Sequence, residues 1–194
     1  MEKLQKHKKK KSDEELIQLY LETQNSRYFD QLYSKYATKV YSKCISLLKA
    51  EASAQDATQD IFLKIFLNLS KFGGKSKFST WIYSITYNYC IDLIRKKKKH
   101  GSIFSDELER VPDVIEEVPD STLLEMEVKK LKVVLETIPV GDKAVLLMKY
   151  QDSMSIREIS EVLNKSESAI KMKLKRAKHK AQIIYNEKFK EQTI

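Results

Sequence analysis

Residues 78–99 read FSTWIYSITYNYCIDLIRKKKK. At helical spacing Ile82, Ile85, Tyr89 and Leu93 share one stripe, with Trp81 and Ile94 at its margin and Tyr83, Tyr87 and Asn88 elsewhere. The pattern predicts an amphipathic helix with aromatic groups left over. Ser79 or Thr80 is suited to cap its start, and Arg95 and Lys96 to Lys99 put cations where the negative end of the helix dipole favours them. Trp81 alone reads as a core residue and the lysine run alone as a solvated tail. It is rings and cations together that suit nucleic acid.

Working outward, 194 residues fit one domain or two small ones, and the composition points to helices. The chain has only four glycines and three prolines, and no strand-length run alternates cleanly between turn signals. A net charge of +9 favours a polyanionic partner, with nucleic acid ahead of an anionic membrane surface, against the plainer reading of a soluble basic protein. Cys44 and Cys90 lie far apart among apolar or small neighbours and read as reduced, buried thiols. His7, His100 and His179 have no ligand-spaced companions, so no metal site and no cofactor is expected. Lacking an apolar run of spanning length and a secretory signal, the chain is expected in the cytoplasm, without membrane insertion.

Residues 1–11 read as a disordered basic arm. Ser12, followed by three acidic residues, introduces a helix carrying Leu16, Ile17, Leu19, Tyr20 and Leu21, and residues 28–48 repeat the helical pattern. After a break at 49–53, residues 54–69 (AQDATQDIFLKIFLNL) place Ala57, Ile61, Ile65 and Leu69 on a stripe broadened by Phe62 and Phe66. The other face holds Gln55, Asp56, Gln59 and Asp60, a protein-docking face or plain solvated surface. In KFGGKSKF (71–78) two glycines break the helix, and Lys71, Lys75 and Lys77 crowd a loop between Phe72 and Phe78. A basic loop edged by aromatics can stack unpaired bases and hold their phosphates. GGKS lacks the earlier glycine and the preceding strand of a phosphate-binding loop.

Residues 31–99 resemble region 2 of a sigma-70 family sigma factor in its extracytoplasmic-function (ECF) form. The resemblance is carried by LYSKYATKVY (32–41), DATQDIFLKIF (56–66), FSTW (78–81) and NYCIDLIR with its lysines (88–99). It implies that the helix bearing Asp56, Gln59 and Asp60 docks on the clamp of core RNA polymerase. It further implies that Lys71, Phe72, Lys75, Lys77, Phe78, Trp81, Asn88 and Arg95 serve the opened −10 element of promoter DNA.

Residues 101–121 carry seven acidic side chains against the single Arg110, with Pro112 and Pro119, and read as a flexible linker. It is a solvated spacer by composition; the resemblance adds passage through the polymerase near nucleic acid. A second helical unit carries Leu123, Leu124, Val128, Leu131, Val134 and Leu135, turns at IPVGDK (138–143), and continues through Val145 to Tyr150. Residues 155–181 then have helix-turn-helix form. Ser155 caps a short helix with Ile156, Ile159 and Leu163 inward, residues 164–166 turn, and a second helix from Glu167 puts Ile170, Leu174 and Ala177 inward. Its outward side carries Lys171, Lys173, Lys175, Arg176 and Lys178, a strip fit for a major groove, although such pairs also occur as structure only. This stretch resembles ECF region 4, and the resemblance implies that Ser168, Lys171, Met172, Lys175 and Arg176 face the −35 element.

The expected fold is therefore all-α: two small helical domains, 12–100 and 122–190, joined by the acidic linker 101–121. The implied function is a non-enzymatic sigma factor that joins core RNA polymerase, selects promoters and helps melt them, with room for an anti-sigma factor and no small-molecule substrate. The competing readings are a stand-alone helix-turn-helix regulator and, more remotely, a nucleic-acid enzyme, for which no carboxylate cluster, ligand set or activated nucleophile is present.

Overall fold

The computed structural model describes residues 11–100, with side chains to 97, and residues 117–189. The expected basic arm up to residue 10, and the linker up to residue 116, lie outside the described residues. The chain divides into two compact units, Met1–Cys90 and Ile91–Ile194. All regular structure among the described residues is helical.

The first unit opens with α1 (Asp13–Thr23), fixed by a capping box in which the Glu15 amide donates to Ser12 Oγ at 3.1 Å and the Ser12 amide donates to Glu15 Oε2 at 2.7 Å. Helix α2 (Ser26–Leu48) is capped by Asn25 and ends at Lys49 in the left-handed region, φ 60°. That single residue reverses the chain, so α3 (Glu51–Asn68) starts three residues before the expected position. The stripe Ala57, Ile61, Ile65 and Leu69 is buried, together with Phe62. Phe66 instead lies at the edge, exposed on one side and packed against Tyr20 and Phe29 on the other. A 3-10 turn, Leu69–Lys71, leads into the glycine loop.

Helix α4 (Phe78–His100) corrects the sequence reading in two ways. Neither Ser79 nor Thr80 caps it: the helix already begins at Phe78, the Trp81 amide donates to the Lys77 carbonyl at 3.2 Å, and Thr80 is buried in the first turn. Its core stripe is Phe78, Ile82, Thr86 and Cys90, all at most 3% exposed, whereas Ile85, Tyr89 and Leu93 are half-buried. Burying the Phe78 ring rotates the helix, and Thr86 can occupy the core because its hydroxyl donates to the Ile82 carbonyl at 2.9 Å. The two cysteines, unrelated by sequence spacing, meet across α2 and α4 with their sulfurs 3.8 Å apart. The Cys90 thiol donates to Cys44, which lowers the Cys44 pKa and raises that of Cys90.

In the second unit α5 (Asp120–Leu124) starts within the segment expected as linker, with Val118 already buried. Helices α6 (Val128–Thr137), α7 (Val140–Leu146), α8 (Ile156–Leu163) and α9 (Glu167–Phe189) follow, α7 running on as a π-helical turn, Leu147–Gln151. The expected turn at 138–143 shrinks to Ile138 and Pro139, because the Pro139 carbonyl accepts from Lys143 at 2.9 Å and starts α7 at once. Helix α9 is the axis of the unit, packing on α5, α6, α7 and α8. Ile170, Leu174, Ala177 and Ala181 form its buried stripe.

Candidate nucleic-acid interfaces

The helix-turn-helix is built by local chemistry. Ser155 and Glu158 form a capping box, Asn164 closes α8 in the left-handed region with φ 49°, and Ser166 Oγ accepts from the Ala169 amide at 3.2 Å to start α9. Ile159 and Val162 face the core, while Ile156 and Leu163, expected inward, are half-buried; the short helix turns its 159/162 edge to α9.

The outward cations of α9 fall into different groups. Lys173 and Lys180 approach the Asp142 carboxylate at 3.1 and 3.5 Å, and Asp142 is only 8% exposed. Lys178 pairs with Asp120 at 2.7 Å. Lys173 and Lys178 are thus engaged within the fold rather than held out as the free cations expected. Ser168, Lys171, Met172 and Lys175 line one groove of about 450 Å³, shared with Lys149 and Ile156. Arg176 is exposed but does not line it: five residues on from Lys171, it is turned by about 140° around the helix axis.

At the start of α4, the expected stacking aromatics form a cluster of their own. Phe78 stacks on Trp81 with centroids 5.7 Å apart, and Phe72 meets Phe78 at 5.2 Å and Trp81 at 5.5 Å. Phe78 also contacts Tyr36 edge to face and is 1% exposed. It cannot meet a base; its apolar ring is drawn into the core and it supports the loop from beneath. Phe72 and Trp81 are half-buried and keep part of their rings at the surface. Lys71, Lys75 and Lys77 are exposed around Gly73 and Gly74, and Gly74 is needed for its backbone, φ 65°. Trp81, Asn88 and Arg95 recur every seven residues and so follow one line of α4; Asn88 and Arg95 are exposed, Arg95 within 3.8 Å of Asp92.

On α3, Asp56, Gln59 and Asp60 are exposed on one face, as expected. The Tyr89 hydroxyl donates to Asp60; burial first, then that carboxylate, raises the Tyr89 pKa to about 12. The reading of the sequence missed that this face continues into Leu63 and Leu67, 56% and 65% exposed. The signal was present: with Ala57, Ile61 and Ile65 inward, positions 63 and 67 must point away.

Among the described residues, no group of three or more His, Cys, Asp or Glu could hold a metal ion, and no helix is long and apolar enough to cross a membrane.

Two helical units, one ending in a helix-turn-helix, define an all-helical protein of the helix-turn-helix class. Comparison with known proteins gives its family. Residues 32–100 match Sigma-70 region 2, and residues 129–180 match Sigma-70, region 4. ECF RNA polymerase sigma factor SigW of Bacillus subtilis (strain 168) is 27% identical over 158 residues, 77% of this chain and 84% of the relative. SigM of the same organism is also 27% identical over 158 residues, 81% of this chain and 94% of the relative. Among solved structures, CnrH in complex with the cytosolic domain of CnrY superimposes with TM-score 0.65 at 21% identity, covering 91% of this chain and 99% of that one. RpoE of Bartonella quintana, solved with the anti-sigma factor NepR, gives TM-score 0.61 at 17% identity, covering 80% and 95%. The chain belongs to the sigma-70 family of RNA polymerase sigma factors, in its ECF group.

Proposed function

We propose that this chain directs core RNA polymerase to promoters through three surfaces, acting in the cytoplasm and without catalysis or cofactor of its own. Residues 12–100 serve as region 2 and residues 122–190 as region 4. The observation that carries the reading is the groove on α9, where Ser168, Lys171, Met172 and Lys175 converge beside the start of α8, a shape and charge suited to the −35 duplex. Arg176, outside the groove, suits a backbone phosphate. Lys71, Lys75, Lys77, Phe72, Trp81, Asn88 and Arg95 suit the opened −10 element. CnrH and RpoE were each solved with a protein partner, in RpoE an anti-sigma factor, which supports a partner of that kind here. Transcription of fragmented genomic DNA by core polymerase, with and without the chain, tests the whole reading: new start sites are expected. Tight, specific duplex binding without polymerase, and no new start sites, would instead favour a stand-alone regulator.

The polymerase surface is Asp56, Gln59 and Asp60, extended by Leu63 and Leu67. Asp56→Lys with Asp60→Lys is expected to weaken core binding at least tenfold, about 1.4 kcal/mol, with the helical circular dichroism unchanged. Equal affinity in a titration of labelled protein with core enzyme would remove the assignment.

The loop acts on opened DNA, since its rings can stack only on bases that have left the duplex; stacking is worth about 1–3 kcal/mol per base. Lys75→Ala with Lys77→Ala is expected to impair initiation on closed promoters more than on a template with a preformed bubble. Equal losses on the two templates would separate the loop from melting.

A further inference from the structure

The basic groove beside α9 contains two carboxylates. Glu117 and Asp120 line it with Lys171, Lys175 and Lys178, although a groove for DNA gains nothing from negative charge at its wall. Asp120 Oδ1 accepts from Lys178 Nζ and from the Tyr150 hydroxyl, both at 2.7 Å. These two hydrogen bonds hold the Asp120 carboxyl below the usual carboxylate range. The Lys178 side chain is 12% exposed while that of Asp120 is 54% exposed, so the carboxylate covers the ammonium on the groove side. An arriving phosphate would need the position that Asp120 holds.

We propose that Asp120 is an internal stand-in for a DNA phosphate, neutralising Lys178 in the free protein and giving way to the backbone when the groove takes up duplex DNA. This rests on the reading of the groove as the −35 surface and adds its regulation. The sequence-independent part of DNA affinity comes from neutralised phosphates, so occupying one lysine internally lowers non-specific binding first. A correct −35 site adds base contacts that displace the carboxylate. Glu117 raises the same barrier without an ion pair of its own to Lys178.

The test uses the full chain and a random-sequence duplex of about 30 base pairs, with anisotropy read between about 50 and 200 mM salt. Asp120→Asn is expected to steepen the salt slope by about 0.9 unit, which widens the affinity ratio between those salts about 3.5-fold. Lys178→Ala alone, which leaves the Asp120 carboxylate unpaired at the groove wall, is expected to weaken binding to the random duplex, and Asp120→Asn with Lys178→Ala to return to the wild-type slope. Glu125→Gln, removing a charge just after α5 and outside the groove, is expected to show no such gain. An unchanged slope in Asp120→Asn, a gain that survives Lys178→Ala, or an equal gain from Glu125→Gln would overturn the proposal. So would weaker binding together with a lowered melting temperature, the mark of a brace between α5 and α9. Asp120→Ser, which puts a neutral hydroxyl at the start of α5, repeats the measurement if asparagine disturbs folding. Lys171→Ala with Lys175→Ala tests the groove separately: unchanged affinity there would mean that the −35 reading fails, whatever Asp120 does.

Discussion

Phe78→Ala is expected to destabilise the first unit by about 3–5 kcal/mol, the cost of emptying a fully buried aromatic site. The ring is 1% exposed and touches Tyr36, Phe72 and Trp81, so its removal opens a cavity where α2, the glycine loop and the start of α4 converge. Against a total stability of about 5–15 kcal/mol, that is a large fraction. Thermal or urea unfolding followed by circular dichroism reads it directly. Phe78→Leu refills much of the volume and is expected to recover a good part of the loss. A loss under about 1 kcal/mol for the alanine variant would show that the ring is not the support of the loop.

The second large effect is expected on α9. A reader of bases costs about 1–3 kcal/mol at one base pair when lost, whereas a phosphate anchor weakens all sequences alike and lowers the salt slope by about one unit. Arginine has the planar fork for bidentate recognition of guanine, which by itself would make Arg176 the reader. Its position argues otherwise. Lys171 lies in the first turns of α9 and lines the groove, and Arg176 does neither. Lys171→Ala is therefore expected to relax preference at one −35 position, and Arg176→Ala to reduce transcription from every promoter by a similar factor. A −35 mutation series transcribed with both proteins decides between them; single-position relaxation by Arg176→Ala would reverse the roles.

Much of this architecture could be read from the sequence because the signals were local. Ser155 and Glu158, Asn164 and Ser166 define the helix-turn-helix by capping alone, and the expected limits of α8 and α9 start where the structure starts them. What the sequence hid were pairings over long separations. Lys173 and Lys178 looked like free outward cations because nothing local announces that Asp142 and Asp120, 31 and 58 residues earlier, would hold them. Phe78 looked like a ring at a loop edge until Tyr36 was placed against it. The same holds for α4, whose apolar stripe by periodicity was Ile82, Ile85, Tyr89 and Leu93. A threonine and a cysteine entered the core instead, since α2 offered a partner for Cys90 and the helix itself satisfied the Thr86 hydroxyl. The exposed stretch of Leu63 and Leu67 was legible in principle, as the face left over once the core stripe of α3 is drawn.

The meeting of Cys90 with Cys44 also sets an order in time. Helices α1, α2 and α3 pair with their neighbours in sequence, whereas the thiol contact closes a loop of 46 residues. Near contacts form early and distant ones late. The Cys44 thiol therefore gains its partner only when α4 docks, and in the folded unit both sulfurs belong to residues that are 0% exposed.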